Sequence, residues 1–297
     1  MKLGVLPRFT RDVIVDPGWV TGFGALCEEM GVESVWGVEH VLVAQDYEPR
    51  YPYSADGRMP GNPETVMPDP LEWLAFFAAS SETVRLGTSV LVLTLHSPVV
   101  IAKRVATLDA LSRGRMMLGV GIGWQVEEFA AVGVPYTQRG PRLDEYIDAL
   151  RALWCEEFAS FDGRFVRFDR VSSLPKPAHP GGVPIVIGGS SEAAARRAGT
   201  RGDGFFPYVV SPDDFAARVA DVRAAAVAAG RDPGAVELTV WPTSWRPGAA
   251  LDVDLARRYA DGGADRLVVS AQEAGGPALD DLRRFLGDYR ERVLDRL

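Results

Sequence analysis

Short apolar runs alternate with longer stretches of helical period along the chain. The runs are KLGVL (2–6), SVWGV (34–38), VRLGTSVLVL (84–93), MMLGVGI (116–122), PIVIGG (184–189), DGFFPYV (203–209), VELTVW (236–241) and DRLVVS (265–270). Several are apolar at consecutive positions, which suits parallel strands covered on both faces. Each is followed by a helical stretch. Asp69-Pro70, Ser97-Pro98 and Ser211-Pro212 read as helix starts, because the first residue can accept orphan N–H groups and proline fits the first turn. Gly31, Gly114, Gly199 and Gly230 stand where helix stops belong. Eight strand–helix units predict one α/β domain over 1–297, a (β/α)₈ TIM barrel, with an open doubly wound sheet as the alternative. In a barrel the chemistry collects at the C-terminal strand ends.

Two connections are long, and long structured loops in a compact domain are usually functional. Residues 39–68 follow the second strand, are rich in Pro, Gly and Tyr, and are expected to wall a substrate pocket. Residues 155–183 contain FASFDGRFVRFDRV, which reads as a hairpin, then a proline-rich run that enters the fifth strand from the opposite face. That connection is expected to be structural.

Composition narrows the function. Hydrophobic residues make up 47% of the 297 positions, enough for a large core, and the net charge of −8 argues against nucleic acid or an anionic membrane as partner. No run reaches the ~18 apolar residues of a membrane span, and the N-terminus carries no signal-peptide pattern, so a cytoplasmic protein is expected. Cys27 and Cys155 have no metal or redox spacing, and Cys27 reads as a buried thiol. The lysines, at 2, 103 and 176, follow no strand, which weakens a Schiff-base aldolase. His40, His96 and His179 form no HxH pair, which weakens a metal hydrolase. Glu39 with Glu127 or Glu128 would suit a retaining glycosidase but is not specific for one.

MMLGVGIGWQVEEF places glycines at 119, 121 and 123 after a strand. A dinucleotide fingerprint needs glycine at 124, which is Trp, and an acidic strand end about 20 residues on, where the chain reads as helix. IVIGGSSEAAARRAG is the better phosphate signal: Gly188 and Gly189 admit an anion to the backbone, Ser190 and Ser191 add donors, and a helix begins there. An ordinary turn with a serine cap has the same spacing. His40 ends a strand at the mouth, where it can bond a ring carbonyl, shuttle a proton, or be a structural histidine pinned by Glu39. His96 and His179 are expected to be structural.

The block RLGTSVLVLTLHSPVVIAKRVATLDALSRGRMMLGVGIGWQVEEFAAVGVPYTQRGPRLDEYIDALRALW resembles the bacterial luciferase-like monooxygenases. It is most similar to their actinobacterial branch that uses the deazaflavin coenzyme F-420. SVWGVEH, YPYSADGRMP and PIVIGGSSEAAARRAGTRGDGFFPY extend the resemblance over about residues 2 to 210. It implies a TIM barrel with a flavin or deazaflavin at its mouth, usually a homodimer. It also implies a non-prolyl cis bond at Ser89–Val90 behind the cofactor ring, Gly121 and Gly123 beside the ribityl chain, and Gly188 to Ser191 around the phosphate. His40 with Glu39 matches the family's acid–His pair. There is a departure: sugar-phosphate dehydrogenases of the family carry Glu where this chain has Trp124. Arg8 in LPRF stands in the region where they carry an acid, and their sugar-phosphate lysines are not evident. A small apolar or aromatic substrate is expected instead, walled by Trp124, Tyr53 and Trp241, although packing around the mouth accounts for those aromatics as well. The resulting expectation is F-420-dependent hydride transfer. The alternatives are an FMN-dependent two-component monooxygenase supplied by a separate reductase, or a non-catalytic flavin-binding barrel.

Overall fold

The computed structural model describes residues 1–60 and 65–297. Its strands are β1 (Lys2–Leu6), β2 (Ser34–Gly37), β3 (Arg85–Thr88), β4 (Met116–Val120), β5 (Ala159–Asp162), β6 (Arg167–Val171), β7 (Ile185–Gly188), β8 (Gly204–Phe206), β9 (Glu237–Val240) and β10 (Arg266–Ser270). Eight of them close into a parallel barrel in the order β1-β10-β9-β8-β7-β4-β3-β2, which excludes the open sheet. The remaining two, β5 and β6, pair as the antiparallel hairpin expected, with Phe161 stacked on Phe168.

The helices are α1 (Arg11–Ile14), α2 (Pro17–Glu29), α3 (Pro70–Ala78), α4 (Pro98–Leu111), α5 (Val126–Ala131), α6 (Arg139–Cys155), α7 (Glu192–Arg201), α8 (Pro212–Ala228), α9 (Pro242–Trp245), α10 (Val253–Asp261) and α11 (Leu279–Arg292). Asp69 accepts from the Leu71 and Glu72 N–H groups, and Ser211 accepts from Asp214, as capping requires. Ser97 precedes α4 but its side chain makes no cap bond. Gly31, Gly114 and Gly230 stop helices at positive φ. Gly199 does not: it lies inside α7, where a Cβ would stand 2.3 Å from the Val222 carbonyl, so the glycine lets α7 close on α8. The third apolar run outlasts its strand. After Thr88 the Ser89–Val90 bond is cis, Leu91 makes an isolated bridge to Val120, and the pattern continues because Leu91 and Leu93 are core.

The end of the barrel where the strands begin is sealed by charge. Arg266 is fully buried and donates to both Glu33 oxygens at 2.7 Å and to Thr239 Oγ1 at 2.8 Å. Its guanidinium also meets Glu237 at 2.8 Å and lies 5.4 Å from the Trp36 ring. Arg85 and Lys2 complete the cluster. Burial alone would raise the Glu33 and Glu237 carboxyls, but Arg266 outweighs it and holds both below the ordinary value. Above this seal Trp36 packs edge-on to Phe206 among Leu6, Met117, Val186 and Val268. Among the described residues, no helix is long and apolar enough to cross a membrane.

Candidate active site at the barrel mouth

Glu39 and His40 leave β2 side by side, and their side chains diverge. Glu39 is buried; one oxygen accepts from the Val92 N–H at 2.6 Å and the other lies 2.8 Å from His96 Nε2. The acid–His pairing expected within Glu39-His40 is therefore not made, because successive side chains of an extended segment point to opposite sides. The partner of His40 is Glu128 of α5, with 3.1 Å between Nδ1 and Oε2. Glu128 is wholly buried, and its Oε1 accepts from the Val41 N–H at 2.7 Å and the Leu42 N–H at 3.4 Å. An ionised carboxylate only accepts, so Nδ1 donates and Nε2 is left to the mouth. His40 Nε2 has no hydrogen bond among the described residues. His96, expected to be merely structural, joins the mouth through Glu39. His179 bonds the Gly114 carbonyl at 3.2 Å, before β4, as a structural histidine does.

The loop after β2 forms a strap across the opening; its residues 61–64 lie outside the described residues. Gln125 Oε1 accepts from Ala44 N–H at 3.4 Å and Glu127 Oε1 from Glu48 N–H at 2.9 Å. Tyr47 and Tyr51 both stand edge-on to Trp124, with centroids 5.1 Å away, and Trp124 stands edge-on to His40 at 5.7 Å. Tyr53 then reaches Tyr208 after β8 at 5.1 Å, and Tyr208 reaches Trp241 after β9 at 5.8 Å. Strands β2 and β8 stand opposite each other in the barrel order, so the strap spans the mouth. Burial pushes the Tyr51, Tyr53 and Tyr208 hydroxyls up, which keeps them neutral and able to donate at neutral pH.

The segment Gly188 to Ser191 joins β7 to α7. Ser191 caps α7 by accepting from Ala194 N–H at 3.2 Å, and Ser190 Oγ accepts from Tyr208 N–H at 3.0 Å. The Tyr53 ring stands against Tyr208, which places its hydroxyl beside this segment. Gly189 has φ +105°, and a Cβ there would lie 3.7 Å from that hydroxyl. Tyr53 thus sits beside the segment that joins β7 to α7. The other glycines have a local reason. A Cβ at Gly121 or Gly188 would stand 2.6 or 2.4 Å from Val90, just after the cis bond; one at Gly123 would stand 2.7 Å from Val92.

Among the described residues, buried side-chain polar atoms without partners gather here: Arg8 Nε after β1, Ser89 Oγ after β3, Gln125 Nε2 and Glu127 Oε2 after β4, and Trp241 Nε1 and Thr243 Oγ1 after β9. Such atoms are rare unless something satisfies them. A planar heterocycle with several carbonyl and N–H groups, carrying a phosphate toward Gly189 and the α7 N-terminus, fits this set of groups. The sequence reading did not single out Gln125 or Tyr208, took His96 as structural, and named Glu128 only as an unspecific acid, without its link to His40. Gln125 and Glu128 stand three apart at a helix start and share a face, which was the available signal.

Residues 19–281 match the family model described as luciferase-like monooxygenase. An uncharacterized protein of Mycobacterium tuberculosis is 35% identical over 244 residues, covering 80% of this chain and 83% of that protein. An F-420-dependent glucose-6-phosphate dehydrogenase of Kineococcus radiotolerans is 32% identical over 231 residues, covering 75% of this chain and 63% of that enzyme. A solved monooxygenase structure from Streptomyces bottropensis shares the fold, with a TM-score of 0.75 at 22% identity over 100% of this chain and 99% of that one.

Proposed function

The chain belongs to the luciferase-like monooxygenase family, and from that premise we propose that it is an oxidoreductase using coenzyme F-420 for hydride transfer to or from a small organic substrate. The observation that carries the reading is His40, whose Nδ1 is held by a buried carboxylate and whose Nε2 has no hydrogen bond among the described residues, at a mouth rich in unpartnered polar atoms. Similarity to the Kineococcus dehydrogenase favours the deazaflavin.

When bound, the deazaflavin supplies the ring carbon that accepts or gives the hydride. Gly189, Ser190, Ser191 and the start of α7 would hold its phosphate, with the Tyr53 hydroxyl beside them. Gly121 and Gly123 would leave room for its chain, and Ser89 and Val90 would back the ring. His40 Nε2 takes or returns the proton on the substrate oxygen, a role typically worth ~10²–10⁴-fold in rate. Glu39 acts differently from His40: it ties Val92 and His96 in place and thereby positions the segment after the cis bond. Trp124, Tyr47 and Tyr51 wall the substrate side and the strap keeps water out. An apolar or aromatic body bearing one hydroxyl or carbonyl suits that wall; a sugar phosphate does not, because Trp124 replaces a carboxylate and no lysine lies at the C-terminal end of a barrel strand.

The second reading is an FMN-dependent monooxygenase, favoured by the family's description. The test is anaerobic turnover of F-420 with small aromatic and aliphatic alcohols, followed by deazaflavin absorbance, beside aerobic turnover with reduced FMN. Substrate-dependent loss of oxidised F-420 is expected. Oxygen-dependent product with reduced FMN, and no F-420 turnover, would overturn the assignment.

A further inference from the structure

We propose that Glu128 is a positioning residue that locks His40 in its Nδ1–H tautomer, so that Nε2 is the proton-accepting atom of the mouth. The chemical use of that atom rests on the function proposed above; the tautomer itself does not. Glu128 is fully buried, and one carboxylate serves two purposes. Oxygen Oε1 holds the chain where it leaves β2, through Val41 at 2.7 Å and Leu42 at 3.4 Å. Oxygen Oε2 lies 3.1 Å from His40 Nδ1, and a carboxylate oxygen there can only accept from an Nδ1–H. The Trp124 ring stands against the imidazole, 5.7 Å between centroids and 80° between planes, which opposes rotation of the ring.

His40 is the exception among the three histidines. His96 meets Glu39 through Nε2, and His179 meets the Gly114 carbonyl through Nε2. Both contacts require a proton on Nε2. Neutral imidazole in water also prefers that form, so His40 holds the less common tautomer because Glu128 is there. The consequence is directional. In the oxidative direction the substrate's C–H hydrogen would depart with both bonding electrons to the hydride acceptor that a bound deazaflavin would supply. The C–O bond becomes double, and the hydroxyl proton passes to Nε2. The imidazolium so formed is balanced by the Glu128 carboxylate. Reduction runs the same steps backwards.

Glu128→Gln separates positioning from packing. The amide keeps the shape but has one acceptor oxygen, and the Val41 N–H requires it. Its NH₂ then faces Nδ1, which must accept, so the proton moves to Nε2. The experiment is long-range ¹H–¹⁵N correlation on ligand-free protein labelled at histidine, at a pH above histidine's ordinary range. Single His96→Asn and His179→Asn variants assign the signals. One Nδ1–H and two Nε2–H tautomers are expected in the parent, and three Nε2–H tautomers in Glu128→Gln. The same variant should lose on the order of 10²-fold or more in kcat with F-420 affinity little changed. His40 already in the Nε2–H form in the parent, or unmoved in Glu128→Gln, would overturn the proposal. Tautomers as expected in a protein that binds no deazaflavin would leave the positioning intact and remove the cofactor reading.

Discussion

The two ends of the barrel are built on opposite terms. Where the strands begin, charges are paired by the chain itself: Arg266 with Glu33 and Glu237, Lys2 and Arg85 around them, and Glu28 bonded to the loop before β3. Where the strands finish, burial has gone ahead without full partnering. Among the described residues six buried polar atoms there are without partners, three tyrosine hydroxyls are pushed up by desolvation, and burial raises the Glu273 carboxyl as well. A finished end stabilises the fold; an unfinished one marks where a ligand completes it.

That contrast is sharpened most by exchanging one residue at each end. His40→Asn keeps a donor for Glu128, so melting should move by only a few degrees while kcat falls ~10²–10⁴-fold. Undiminished turnover in a stably folded variant would remove His40 from the chemistry. Arg266→Met should do the reverse. It strands two carboxylates, and breaking a buried pair costs about 3–5 kcal/mol, or roughly 10 °C of melting temperature for a domain of this size. Cofactor affinity of the folded fraction should stay near normal. A melting curve unchanged by Arg266→Met would break the comparison at its closed end.

Smaller effects follow at each end. Gly189→Val places a branched side chain at φ +105° on the cradle, so F-420 affinity should weaken about tenfold or more, with a strain cost of about 1–3 kcal/mol in stability. Affinity as in the parent would count against the phosphate placement. At the closed end, burial pulls Glu28 upward but four bonds from Glu82, Thr83 and Val84 hold it at about 2. Glu33 and Glu237 are also depressed. Depressed carboxyls stabilise above their unfolded value and lose that contribution as pH falls through their folded one. Melting temperature should therefore drop as pH goes from about 4.5 toward 2, and the drop should be shallower in Arg266→Met. Parallel profiles for the two proteins would show that Arg266 is not what sets these carboxyls.

The eight strands were legible because parallel barrel strands are apolar throughout, and the hairpin because its two runs flank a glycine turn. The closed end left a trace that periodicity ignores. Lys2, Arg85, Glu237 and Arg266 each open a strand and Glu33 immediately precedes one, so their charges converge only once the barrel closes. The mouth was legible by position, not by pairing. His40 and the segment from Gly188 follow strands, but the partner of His40 lies 88 residues away, and no local rule connects them. Tyr53 was placed against the substrate because its loop follows β2. The strap carries it across the opening to Tyr208 and Gly189, a placement that the sequence does not give.

The central claim is that the unfinished end is a deazaflavin site. Equilibrium titration of the purified protein with F-420 and, separately, FMN tests it most directly, followed by cofactor fluorescence and by melting temperature, since a ligand selective for the folded state must raise it. Saturable, one-site binding of F-420 with a rise in melting temperature, and weaker binding of FMN, is the predicted result. Fluorescence and melting indifferent to F-420, with FMN saturating the site, would contradict the account.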